Sequence, residues 1–301
     1  MEEIGRGTRG SGGGVGIKSR LFVKEKSSFG AIFVIIRIYF KIGKSCYTMA
    51  KEKDIFPVYK FIGESPFDAI KRIKKEKSFL KDKKVAYAGR LDPMAEGLLL
   101  LITGDELKNF DSYLKHDKEY EAEILFGCVS DTYDILGLPD RTSDISPEKS
   151  GIEREIKKYR GKFTFSLPPF SGYKIKGKPL FWWALRGKIE EVDIPEKEVE
   201  IYDLQILEFK NIPKQEVGEE IFRKIKKVRG NFRQKKIYNK WKTFLKEEKR
   251  DFFPLLKIKI NCSSGCYVRS IAQDLGRKTS AGAVLFALKR KKIGEYKSSI
   301  T

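Results

Sequence analysis

From Phe56 onward, apolar residues fall at spacings that a fold can use. Residues 65–77 (SPFDAIKRIKKEK) place Phe67, Ile70 and Ile73 at helical spacing, behind Ser65 as a cap and Pro66 as the first helical residue. Residues 120–126 (YEAEILF) alternate as a strand does, and Gly127 ends the run. A turn-rich stretch follows at 131–147, then a short helix at 151–160 and a long strand at 197–210. Residues 255–261 (LLKIKIN) alternate again, and 268–276 read as a helix behind them. Strands and helices mix without regular βαβ alternation and without an internal repeat. That order predicts an α+β fold, a mixed and largely antiparallel sheet flanked by helices.

Two stretches depart from this text. Residues 1–48 open glycine-rich, and residues 31–40 (AIFVIIRIYF) form a short apolar run broken by Arg37. Ten residues with an arginine among them are too few to span a bilayer. Met49 opens a segment that reads like an ordinary protein start, so 1–48 is expected to be a disordered or mis-assigned extension and 49–301 the working domain. The second stretch, 223–250, holds 13 basic and two acidic residues interleaved with Ile225, Val228, Phe232, Ile237, Tyr238, Trp241 and Phe244. Spacings of three and four predict a helix or helical pair with one buried face. Its basic remainder is either a solvated face or an arm that grips phosphates. The whole basic insertion is placed at 211–253.

Charge sharpens the picture. Lys and Arg total 62 against 41 Asp and Glu, a net +21 at pH 7. Removing residues 1–48 takes away nine basic and three acidic residues and leaves +15. A field of that sign attracts polyanions, nucleic acid first among them. The single histidine, His116, excludes an HExxH zincin and any two-histidine metal site. Cys46, Cys128, Cys262 and Cys266 contain no CxxC pair, which suits a reduced, intracellular chain. No GxxxxGK[ST] phosphate loop is present. Catalysis therefore falls to carboxylates, tyrosines, lysines or arginines, with no metal expected.

Residues 85–97 (VAYAGRLDPMAEG) are the most informative block. Leu91-Asp92-Pro93 between Gly89 and Gly97 describes a turn that presents one carboxylate, with Pro93 fixing the backbone behind it. Alone, such a turn is usually only a turn. Other blocks accompany it, in order: LLLLITGDE at 98–106, KEY at 118–120, SDTYDILG at 130–137, LPPFSGYKIKGKPLFWWALRGK at 167–188 and CSSGCYVRSIAQDLG at 262–276. Together they resemble the TruB-type tRNA pseudouridine synthases, whose catalytic loop commonly reads GxxGxLDPxAxG.

The resemblance implies isomerisation of a uridine to pseudouridine in the tRNA T-loop, at the conventional position 55. That reaction breaks a C–N glycosidic bond and rejoins the base through carbon. It calls for a nucleophilic carboxylate, a proton acceptor and a pocket that keeps the detached base, and for no cofactor. By resemblance Asp92 is the nucleophile, attacking either sugar or base. Arg269 pairs with Asp92 and keeps it ionised and aimed. Tyr120 stacks on the flipped base and shuttles its proton. Tyr267 and Leu288 line the site, while Lys60 and Gly63 belong to an entry loop that braces the catalytic loop.

Two departures qualify the match. Where the family usually has a histidine that helps hold the opened RNA loop, this chain has Tyr87, an aromatic that can still stack on a splayed base. Many relatives also continue into a small RNA-binding PUA domain, whereas this chain ends soon after residues 289–296 (KRKKIGEY). The expectation is a PUA-less form, with the basic insertion taking over part of the grip on tRNA. The implied partner is the tRNA T-arm, the implied state a cytoplasmic monomer without membrane association. Two other readings stay open: a tRNA-folding chaperone with little catalysis, and a same-fold synthase acting on ribosomal RNA.

Overall fold

Strands with one solvated face keep their alternation, and those covered on both faces lose it. The computed structural model describes residues 40–42, 45–47 and 54–298. The chain divides into two units, residues 1–53 and 54–301. In the first, Phe40–Ile42 pairs antiparallel with Ser45–Tyr47. The rest of the extension expected at 1–48, with all but the last residue of its apolar run, lies outside the described residues.

In the second unit the strands of three or more residues are β1 (Ile55–Lys60), β2 (Ala86–Ala88), β3 (Ala95–Ile102), β4 (Lys118–Phe126), β5 (Cys128–Ser130), β6 (Pro139–Arg141), β7 (Gly161–Ser166), β8 (Glu196–Pro213), β9 (Phe252–Cys262) and β10 (Ala283–Ile293). The helices are α1 (Pro66–Glu76), α2 (Phe110–Leu114), α3 (Lys149–Lys157), α4 (Leu180–Leu185), α5 (Lys214–Lys227), α6 (Gln234–Glu247) and α7 (Val268–Lys278). The main sheet runs β1-β3-β10-β4-β9-β8-β7, with β2 beside β3. Only β10 and β3 pair in parallel, through Leu288↔Ala95 to Arg290↔Gly97. This is the α+β, largely antiparallel arrangement expected.

Both faces of the sheet centre are covered. On one, Val268, Ile271, Ala272 and Leu275 of α7 and Ile152 and Ile156 of α3 pack on Ala122, Ile124, Ile258 and Ile260. On the other, Val217, Ile221 and Ile225 of α5 and Ile237, Trp241 and Phe244 of α6 pack on Leu125, Leu255, Val284 and Phe286. The basic stretch is thus a helical pair whose apolar stripe closes the second face of the sheet. Trp241 is fully buried and its indole N–H donates to the Ile135 carbonyl at 3.0 Å.

Helix α1 begins as expected, with a capping box. The Ser65 hydroxyl accepts from the Asp68 amide at 3.1 Å, and the Asp68 carboxylate accepts from the Ser65 amide at 2.9 Å. Its buried face differs from the expected one. Pro66, Ala69, Ile70 and Ile73 are buried, whereas Phe67 is 59% exposed under the Lys71 ammonium. At 3.6 residues per turn, Phe67 points roughly a third of a turn away from that stripe. Strand β10 is not foreshadowed by the periodicity of its residues. Its first half is buried on both faces and its second half reads as a basic run, so neither half alternates cleanly.

Because Trp241 is core, Trp241→Ala should lower unfolding stability by about 3–5 kcal/mol. Urea titration of the purified variant measures this. A loss under about 1 kcal/mol would mean that the helical pair is an appendage.

Candidate active site

A short loop between β2 and β3 carries Asp92, and buried cations hold that loop from below. Lys60, at the end of β1, is fully buried. Its ammonium donates to the carbonyls of Ala95 at 2.6 Å, Glu64 at 2.7 Å and Phe61 at 3.2 Å. Burial pushes its pKa down to about 8, against the pull of Asp92 and Glu64. The Gly63 amide adds a bond to the Pro93 carbonyl at 2.8 Å. Buried Arg290 of β10 bridges the two ends of the loop: it donates from Nε to the Leu98 carbonyl in β3 at 2.8 Å. Its Nη atoms reach the carbonyls of Gly89 at 3.1 Å and Arg90 at 3.3 Å. Gly97 is required here, since a Cβ on it would lie 2.3 Å from the Arg290 carbonyl oxygen.

Arg269 approaches Asp92 from the first turn of α7. Its Nε lies 2.8 Å from Asp92 Oδ2 and 3.9 Å from Asp134 Oδ2. The Asp92 contact is coulombic, because the Nε–H is not aligned on an acceptor. Nη1 donates to the Thr132 carbonyl at 2.9 Å, with Nη2 3.5 Å from that of Phe170. A cation in the first turn of a helix is disfavoured by the helix dipole, and burial disfavours it further. The carboxylates of Asp92 and Asp134 outweigh the burial and raise the guanidinium pKa. The two acids differ in access: the Asp92 side chain is 29% exposed and that of Asp134 is 7%.

Two cavities of about 350 and 370 Å³ meet at Asp92. They share Arg90, Leu91, Asp92, Phe170 and Arg269, so they are two lobes of one cleft. The first lobe is lined by Tyr120, Tyr267, Leu288 and Arg290, with Lys118 and Lys197. Burial pushes the Tyr120 phenol up to about 12, and Arg290 beside it works against that. The second lobe runs between Phe181 and Leu185 of α4 and Asn231, Phe232 and Arg233 in the turn joining α5 to α6.

Of the residues expected from sequence, Asp92, Tyr120, Arg269, Tyr267 and Leu288 therefore converge on one cleft. Lys60 does not line it; the ammonium is spent on backbone carbonyls and acts on the loop. Tyr87 is also absent from the lining and packs on the apolar cluster beneath α1. Two buried residues escape sequence reasoning. Arg290 lies in the KRKK run, where nothing in the spacing singles it out from its basic neighbours. Asp134 is part of the SDTYDILG block, and its approach to Arg269 arises only from the fold. Among the described residues, no cluster of three His, Cys, Asp or Glu could hold a metal ion.

The family model for the TruB family pseudouridylate synthase (N terminal domain) matches residues 77–218, a span that contains Asp92, Tyr120 and Asp134. The tRNA pseudouridine synthase B of Borreliella afzelii (strain PKo) is 30% identical over 236 residues, covering 78% of this chain and 67% of that protein. The chain belongs to the TruB family. The tRNA pseudouridine synthase B of Fusobacterium nucleatum subsp. nucleatum is 31% identical over 234 residues, 78% of this chain. This TruB-family chain spans 65% of the length of that relative. Among solved structures, a chain of a Cbf5-Nop10-Gar1 complex aligns over 81% of this chain and 49% of its own, at 16% identity and a TM-score of 0.49.

The buried acid of this TruB-family site sets a pH signature. Burial, with Asp92 adding to it, raises the Asp134 pKa to about 6 against the opposing pull of Arg269. The unfolded value is near 3.9. The folded state thus binds its proton more tightly, a contribution present below about pH 4 and lost as pH rises through about 6. Relative to Asp134→Asn, the wild type should lose on the order of 3 kcal/mol of stability between pH 4 and pH 7. Parallel urea titrations across that range measure the difference; identical pH slopes would mean that Asp134 does not titrate there.

Proposed function

We propose that the chain isomerises a uridine to pseudouridine in the T-loop of tRNA, at position 55, with Asp92 as the nucleophile. The observation that carries this reading is the pairing of a partly open Asp92 with a buried Arg269 at 2.8 Å, at the junction of a cleft that also contains Tyr120. Binding alone needs no reactive carboxylate aimed by a buried guanidinium. Membership of the TruB family and the activity for which its relatives are named point the same way.

The chemistry follows from the parts. A target uridine leaves its stack and enters the first lobe, at a cost of a few kcal/mol recovered from loop contacts. Arg269, beside the Asp92 carboxylate, fixes its direction of attack. The C1′–N1 bond breaks, the uracil turns within the lobe, and a C1′–C5 bond forms. Tyr267 and Leu288 confine the free base during that turn. Tyr120, neutral at physiological pH, offers its ring face to the uracil and its oxygen as a relay that passes the proton leaving C5 on toward the freed N1. The carboxylate returns unchanged, so no external reactant is consumed.

The basic outer surface of the helical pair grips the same RNA beyond the T-loop. Lys226, Lys235, Lys236, Lys240 and Lys242 are exposed on it, while the apolar stripe faces the sheet. Replacing these five lysines by glutamine should weaken full-length tRNA binding far more than binding of a T-arm stem-loop. The slope of log affinity against log salt should fall by about one for each phosphate no longer neutralised. Equal weakening for both RNAs would remove the helical pair from the tRNA interface.

Release of tritium from uridine C5 in a T-arm stem-loop tests the reaction directly. Wild type should release it, Asp92→Asn should fall to background, and Arg269→Lys should lose on the order of 10²-fold. Intact RNA binding with no release by wild type would favour a folding chaperone or a different RNA.

A further inference from the structure

We propose that Arg233, in the turn of the α5–α6 pair, is a positioning residue for Arg269, so that the helical pair sets the alignment of the catalytic ion pair as well as facing RNA. The inference rests on the reaction assigned above. Arg233 reaches across the second lobe to two separate segments. Its Nη1 lies 2.8 Å from Asp131 Oδ2, and its guanidinium stacks on the Phe170 ring at 4.4 Å. Those segments supply the carbonyls to which Arg269 turns: Thr132, the residue after Asp131, and Phe170 itself. One arginine from the turn thus clamps both supports of another.

Local structure favours a clamp over a loose surface contact. Arg233 adopts φ 63°, a left-handed conformation uncommon for a residue with a Cβ. Asp131 is held from its other oxygen by the Leu138 amide at 2.8 Å, so its carboxylate cannot follow a displaced partner. The guanidinium plane is what the site uses, since lysine cannot both pair with Asp131 and lie flat on Phe170. The turn is anchored a second time, where the Arg229 amide donates to the Gly63 carbonyl at 2.9 Å. The same Gly63 bonds Pro93 in the catalytic loop. A Cβ on Gly63 would lie 2.0 Å from the Lys227 carbonyl oxygen, so the turn and the bracing loop touch backbone to backbone.

Single-turnover rates on the T-arm stem-loop at saturating protein separate alignment from grip. Arg233→Ala should slow the step by about 10- to 100-fold, a misplacement effect, with little change in the dissociation constant. Asp131→Asn should slow it comparably, and the double variant should add little to either. Arg233→Lys should recover only part of the loss. A full rate at saturation with weakened binding would overturn the proposal, leaving Arg233 a phosphate contact. A second readout needs no turnover: the NMR signal of the Arg269 Nε–Hε group, assigned by its loss in Arg269→Lys, should shift in RNA-free Arg233→Ala. If wild type forms no pseudouridine, the reaction assignment falls while this signal still decides the clamp; an unshifted signal then overturns it.

Discussion

Three buried cations must be satisfied around one short loop, and the site depends on how that is done. Lys60, Arg269 and Arg290 are each 4% exposed or less. An unpartnered charge in such surroundings costs far more than a domain's net stability can absorb. Lys60 takes carbonyls at the far end of the loop, Arg290 takes carbonyls at its near end, and Arg269 takes the carboxylate in the middle. Displacing Asp92 would leave one of them short of a partner, a penalty of about 3–5 kcal/mol when a buried pair is broken. The loop is rigid because cations beneath it need its oxygens.

The same cations give the cleft its character. Carbonyl dipoles solvate Lys60 and Arg290 without cancelling their charge, so a positive field reaches the floor of the first lobe. That field suits an anionic ligand. Asp92 and Asp134 share Arg269 but not solvent. Asp134 accepts from the Thr132 hydroxyl at 2.6 Å and the Leu136 amide at 2.9 Å, and so belongs to its own turn. Asp92 faces the cleft, its side chain 29% exposed. Exposure, not residue type, separates the two acids.

What the sequence disclosed follows from what determines each feature. Asp92, Tyr120 and Arg269 lie in blocks whose turn, alternation and helix start are local, so the elements that carry them could be read from sequence. The exposure of Phe67 could not, because helical spacing alone does not say which stripe meets the sheet. Arg290 was hidden by its neighbours: in a KRKK run one side chain turns inward only because β10 is central and pairs Arg290 opposite Tyr120. Tyr87 was placed by motif position, yet its strand pairs Tyr87 with Leu101 and turns the ring toward the cluster beneath α1. The histidine position of the family pattern therefore does not supply a cleft aromatic here. The exposed apolar rings of the second lobe, Phe181 and Phe232, come from segments far apart in sequence, and no spacing rule joins them.

The helical pair shows why composition and structure answer different questions. Its charge count suggests an arm for RNA, while its stripe of Ile221, Ile225, Ile237, Trp241 and Phe244 makes it a layer of the fold. Some of its cations are internal fastenings: buried Lys224 donates to the Phe286 carbonyl at 2.9 Å, and Arg250 to that of Gly127 at 3.0 Å. An element that is core on one face, charged on the other and fastened at its turn to the Gly63 loop that braces Pro93 cannot be altered for one purpose alone. Loosening its packing releases Gly63 and Arg233 together, and with them the supports of both Pro93 and Arg269. The outer face reaches the cleft at that same turn, because Asn231, Phe232 and Arg233 form a wall of the second lobe. The segment that covers the sheet is thus the segment that borders the carboxylate, so packing of the sheet face and the shape of the cleft are set by one element.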